Sequence, residues 1–115
     1  MFEIPMKLPS LNDFIKVSRG NKFASAKLKK DLEYEIGLHL LKVPKIENPI
    51  KIHFIWVEGN KRRDLDNVAF AKKFIIDSLV KLGRLKDDNR NCVVGFSDSF
   101  EYGKEFKVLI QIEEV

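Results

Sequence analysis

Apolar residues recur in this chain with two different periods, and the places where one gives way to the other limit the folds open to it. Leu28, Leu32, Ile36, Leu40 and Val43 fall at helical spacing and share one face. From Ile50 to Val57 the period drops to two. Ile50, Ile52, Phe54 and Trp56 take one side while Lys51 and His53 take the other, as in a strand with one buried face. The helical period returns at Val68, Ala71, Ile75, Leu79 and Leu82, and alternation returns at Phe106, Val108, Ile110 and Ile112. A chain that switches in this way lays helices on a sheet.

Local signals set the expected boundaries. Phe2 to Leu8 reads as a short strand despite Pro5. Pro9-Ser10-Leu11-Asn12 reads as a turn, followed by an irregular basic stretch through Asn21. The first helix should start near Ser25, a suitable N-cap, and end at Pro44, with Gly37 costing ~1 kcal/mol inside it. The second helix should run from about Asp66 to Leu82, with Gly83 in the C′ position. Cys92 to Phe96 and Glu105 to Glu113 read as two strands joined by a polar turn. The expected architecture is one α+β domain in the order β-α-β-α-β-β, a mixed sheet covered by helices. A length of 115 residues suits a single domain with a core of its own.

Composition excludes several classes. The chain is 44% hydrophobic and 33% charged, and no apolar run reaches the length needed to span a bilayer. The first residues lack the basic and apolar stretches of a signal peptide, so a cytoplasmic setting is expected, in a bacterium or a phage-infected host. One cysteine, Cys92, cannot make an internal disulfide and reads as a small core residue. The net charge of +4 is modest, but its distribution is uneven. Phe14 to Lys30 holds Lys16, Arg19, Lys22, Lys27, Lys29 and Lys30 and no acidic residue, and Lys61-Arg62-Arg63 forms a second cluster. Such surfaces are either solvated faces or places that meet phosphates.

The segment richest in chemistry is Lys61-Arg62-Arg63-Asp64-Leu65-Asp66-Asn67, between a strand and a helix. In extended backbone, Asp64 and Asp66 would point to one side while Leu65 turned toward the core. Two close carboxylates repel, and a divalent cation with a taste for hard oxygen ligands, Mg²⁺ or Mn²⁺, relieves that repulsion. The competing explanation is that Asp66 caps the helix and Asp64 lies in its dipole. The loop Lys86-Asp87-Asp88-Asn89 offers two more carboxylates. Lys73 lies two turns past Asp66 on roughly the same face, where it could stabilise charge on a phosphate; it could equally pair with Asp77. His39 and His53 lack ligand spacing, and there is no glycine-rich phosphate loop or nucleophile elbow.

Arg62-Arg63-Asp64-Leu65-Asp66-Asn67, Ala69 to Phe74, Phe74-Ile75-Ile76-Asp77-Ser78-Leu79, Gly83 and Asp87-Asp88, together with Pro9-Ser10-Leu11-Asn12, resemble the RusA family of Holliday-junction resolvases in order along the chain. The resemblance implies a homodimeric, Mg²⁺-dependent endonuclease acting on four-way DNA junctions in recombination and repair. It implies metal ligands at Asp64, Asp66 and Asp88, with Asp87 in reserve. The family's lysine lies one turn past the second aspartate, where this chain has Phe70. The stretch from Asn67 to Asp87 is about one helical turn longer than the family pattern, and with the extra turn placed before the lysine its counterpart is Lys73, with Lys72 beside it. Lys16, Arg19, Lys22, Lys61, Arg62, Arg63 and Lys72 would then hold DNA backbone. Three other readings remain: a non-catalytic basic DNA-binding module, a metal-dependent nuclease for other branched or single-stranded DNA, and a structural domain whose aspartates are caps.

Overall fold

The computed structural model describes residues 1–115 as one α+β domain. Its four strands are β1 (Phe2–Ile4), β2 (Ile50–Glu58), β3 (Val93–Tyr102) and β4 (Lys107–Glu114), and its helices are α1 (Leu11–Gly20), α2 (Lys22–His39), α3 (Leu65–Ala69) and α4 (Lys72–Lys81). The sheet is mixed, in the order β1-β4-β2-β3. β2 runs parallel to β3 and antiparallel to β4, which also pairs antiparallel with β1.

The core forms where the two periods meet. Ile50, Ile52, Phe54 and Trp56 of β2 are buried together with Leu32, Ile36 and Leu40, with Val68, Phe74, Ile75 and Leu79, and with Ile4, Val108 and Ile110. Phe54 and Trp56 stack at 5.5 Å. Burying each such side chain contributes about 1.5–3 kcal/mol. Gly83 adopts φ +71°, the left-handed turn expected after the second helical segment.

Four expected boundaries need correction. The stretch before Asn21 is helical, because Ser10 and Asp13 form a reciprocal capping box. The Ser10 hydroxyl accepts from the Asp13 N–H at 3.2 Å, and the Asp13 carboxylate accepts from the Ser10 N–H at 3.0 Å. The next helix is capped by Asn21 rather than Ser25; its Oδ1 accepts from the N–H groups of Phe23 and Ala24, and this helix ends at His39, short of Pro44. The helix expected over 66–82 is two helices. At Phe70 and Ala71 the bonds tighten to three-residue spacing, Ala71 N–H to Val68 O and Lys73 N–H to Phe70 O, while Phe70 and Phe74 both pack on Phe14. Finally, β3 continues through residues 97–102, where the sequence suggests a polar turn, because each of those residues pairs with β2. The turn lies instead after Tyr102 and ahead of β4. The element order is thus β-α-α-β-α-α-β-β, and β1 is limited to three residues.

Candidate functional site

β2 delivers the chain to the site on a buried carboxylate, Glu58, which is 7% exposed. A buried carboxylate needs a partner, and Arg63 provides one. Its Nε and one terminal nitrogen donate to the two Glu58 oxygens, each at 2.8 Å, and the other terminal nitrogen donates to the Leu8 carbonyl at 2.7 Å. This fork latches the loop from Gly59 to Arg63 onto both β2 and the segment that leads into α1. Gly59 permits the tight path: a Cβ there would sit 2.7 Å from the Phe106 ring. Arg63, grouped by sequence with the DNA-facing cations, is therefore turned inward. Lys61 and Arg62 remain exposed, and the Lys61 ammonium lies 4.8 Å from the centre of the Tyr102 ring.

The latch presents Asp64 and Asp66. Asp64 holds the N-cap position of α3 in extended backbone, yet its side chain makes no cap hydrogen bond and no ion pair. Asp66, in the first turn, accepts only from the adjacent Asn67 N–H at 3.0 Å. Both are exposed. Leu65 is 50% exposed rather than turned into the core. The helix starts at Leu65, so strand alternation does not govern Asp64-Leu65-Asp66. Asp64 and Asp66 instead flank the first helical residue, one as N-cap and the other in the first turn of α3.

The other predicted site residues group around α4. The Lys73 ammonium bridges Asp88 at 2.7 Å and Asp77 at 3.1 Å. The hydrogen bond to Asp88 raises the Lys73 pKa above its ordinary value, and the same bond lowers that of Asp88. Asp87 spends its carboxylate within its own loop, accepting from the Asp88 N–H at 2.7 Å and the Asn89 side-chain amide at 3.1 Å. Lys72 points to the sheet, where it meets Asp98 at 2.6 Å while the Trp56 indole N–H donates to the other Asp98 oxygen at 2.8 Å. The Lys72 ammonium also lies 4.1 Å from the centre of the Phe96 ring. Lys16, Arg19 and Lys22 are exposed on α1 and the start of α2.

Asp98, Glu58 and the Arg63 latch lie outside the set that sequence reasoning selects. The alternation of β3 at Phe96, Asp98, Phe100 and Tyr102 is a legible sign that Asp98 faces the helices. The pairing of Glu58 with Arg63 has only their spacing across a glycine turn to suggest it.

The partners of each carboxylate show how well the set suits a divalent cation. No three side chains among histidine, cysteine, aspartate and glutamate gather closely enough to hold a metal ion. Asp64 and Asp66, however, offer hard oxygens free of ion pairs. Magnesium binds through one or two carboxylates because it keeps several waters. By donor type alone that pair suits such an ion, whereas Asp88 is occupied by Lys73 and Asp87 by its loop. No helix is long and apolar enough to cross a membrane. No protein-family model matches the chain, and no curated protein matches it.

Proposed function

We propose that the protein is a Mg²⁺-dependent endodeoxyribonuclease of the RusA type that resolves four-way DNA junctions as a homodimer in the cytoplasm. The observation that carries the reading is the exposed pair Asp64 and Asp66. They stand at the N-cap and in the first turn of α3, directly after the loop anchored by Arg63, and Asp64 is spent neither in a cap hydrogen bond nor in an ion pair. Helix capping, the bland account of these residues, leaves the Asp64 carboxylate without a task. The ordered resemblance from Arg62 to Asp88 supplies the substrate class.

In this reading Asp64 and Asp66 would hold the ion, while Asp88, the third ligand that the resemblance implies, is paired with Lys73 and Asp87 is spent within its own loop. When bound, the ion supplies Lewis acidity toward a phosphate. Arg63 holds the strand-to-helix turn rigid, which keeps the two carboxylates in place. Lys73 orders the Asp88 loop against α4, and it would serve a phosphate oxygen only by leaving Asp88 and Asp77. Lys61 and Arg62 beside the aspartates, and Lys16, Arg19 and Lys22 on α1 and α2, grip backbone without reading sequence. Lys72 is left out of the grip, since its ammonium is matched by Asp98 and lies 4.1 Å from the centre of the Phe96 ring. Two nicks in strands of like polarity call for two copies of such a small site, which a two-fold dimer provides.

The test is an end-labelled four-way junction, a flap, a single strand and a matched linear duplex, each incubated with Mg²⁺ or with EDTA. Paired nicks near the crossover, on the junction alone and with Mg²⁺ alone, are expected. Tight junction binding without nicks in either condition would instead make the protein a binding module. Nicks confined to flaps or single strands would move it to another nuclease class.

A further inference from the structure

The most exposed large apolar side chain in the protein is Phe23, at 85%. It sits in the first turn of α2, just past the single residue, Asn21, that separates α1 from α2. Asn21 holds this corner firmly. Its N–H donates to the Val17 carbonyl at the end of α1, while its side chain accepts from the N–H groups of Phe23 and Ala24. The ring therefore projects from an ordered corner rather than from a loose loop.

The helical segments on either side of this corner are cationic in sequence. Lys16, Arg19, Lys22, Lys27 and Lys30 are exposed and enter no ion pair, and no acidic residue occurs between Phe14 and Lys30. Lys29 alone is engaged, by Asp77 at 3.5 Å. An exposed aromatic tip on a corner whose two helices carry free cations is complementary to a polyanion that carries flat apolar surfaces, and nucleic acid is that polyanion. A membrane surface fits less well. The apolar face of α1 is consumed by the protein, with Phe14 against Phe70 and Phe74 at 5.9 and 5.6 Å, which leaves one ring to enter lipid. The same corner on a second copy would meet its own charge.

We propose that Phe23 is a wedge that stacks on unpaired or partly unstacked bases where DNA branches. The proposal takes its substrate, branched DNA, from the nuclease reading. Support for a shared binding surface comes from the anchoring of α1. Its leading segment is bonded through the Leu8 carbonyl to Arg63, the neighbour of Asp64. The ten residues of α1 then carry the corner roughly 15 Å away. A branch point held at Phe23 would leave an arm running along the cations toward Asp64 and Asp66.

The experiment uses a four-way junction with 2-aminopurine at the crossover, a fully paired duplex, and phosphatidylserine vesicles, all in EDTA so that nothing is cut. Wild type should raise 2-aminopurine fluorescence, and Phe23→Ala should abolish that rise. Phe23→Ala should also weaken junction binding roughly 5- to 150-fold, with duplex binding unchanged within about twofold, since backbone contacts carry it. Phe23→Trp should restore both signals. Because the ring is solvent-exposed, its removal leaves the core intact. Equal junction affinity and fluorescence for wild type and Phe23→Ala would overturn the wedge. So would an effect of Phe23→Ala confined to vesicle binding, or to the sedimentation coefficient. Cleavage of an unlabelled junction with Mg²⁺ separates the two claims. A Phe23-dependent signal without cleavage defeats the nuclease reading alone, and normal cleavage with a silent Phe23→Ala defeats the wedge alone.

Discussion

Arg63 and Asp64 are adjacent in sequence and have opposite fates. The guanidinium is turned inward in a fork on the buried Glu58, and the carboxylate next to it is exposed and unpaired. Arg63→Ala would strand the Glu58 charge, and such losses destabilise by about 3–5 kcal/mol. Thermal or urea unfolding should show a drop of that order, far beyond the effect of Arg62→Ala. The Lys73–Asp88 pair makes a prediction about pH. Asp88, lowered by its bond to Lys73, contributes stability that is full above its ordinary value of 3.8 and is lost as pH falls through its lower folded value. Lys73, raised by the same bond, contributes stability that is full below 10.5 and is lost as pH rises through its higher folded value. Between those limits the pair contributes a constant amount. Lys73→Met should therefore shift the melting temperature equally at about pH 5 and about pH 9, and a shift that grew between those values would contradict the assignment. The chemistry of single residues is legible in the sequence where it depends on near neighbours. The Lys73–Asp77 ion pair is an example. It is not legible where distant segments decide it, as in the inward turn of Arg63 toward Leu8 or the pairing of Lys72 with Asp98.

Elements can be read from the sequence to the extent that their signals are local. β2 lies where alternation puts it, and α3 and α4 together fill the span in which the helical period suggests one helix. α1 is hidden although Ser10-Leu11-Asn12-Asp13 is a capping-box spacing, because proline, serine and asparagine there also spell a turn. Ser10→Ala should cost about 1 kcal/mol, measurable as a lower urea midpoint with unchanged slope. The break between α3 and α4 has no glycine or proline to announce it. It follows from Phe70 and Phe74 packing on Phe14, which lies in a distant segment of the chain. β3 exceeds its sequence signal for a similar reason. Ser97, Asp98 and Ser99 favour turns on their own, but in the fold the two serines hydrogen-bond the His53 ring and Asp98 takes the Trp56 indole. Pairing with β2 overrides the local preference.

For the whole molecule, the mixed sheet and its covering helices follow from the order of periods, while the relation of the two aspartate loops depends on tertiary placement. One loop follows the last residue of β2 and the other precedes β3, whose start pairs with the start of β2. The three-carboxylate site that the resemblance implies is thus divided here between Asp64 with Asp66 and an Asp88 held by Lys73. Charge acts at this scale too. Replacing Lys16, Arg19 and Lys22 by alanine should weaken junction and duplex alike. The slope of log affinity against log salt should become shallower by roughly 0.9 for each phosphate that is no longer neutralised. Metal-dependent cleavage itself is tested at its root by setting Asp64→Asn and Asp66→Asn beside wild type on one labelled junction, following binding in EDTA and nicking in Mg²⁺. Both variants should keep wild-type junction affinity and lose nicking, because the carboxylates serve the ion rather than the grip on DNA. Undiminished nicking by either variant would refute the assignment of this pair to the metal.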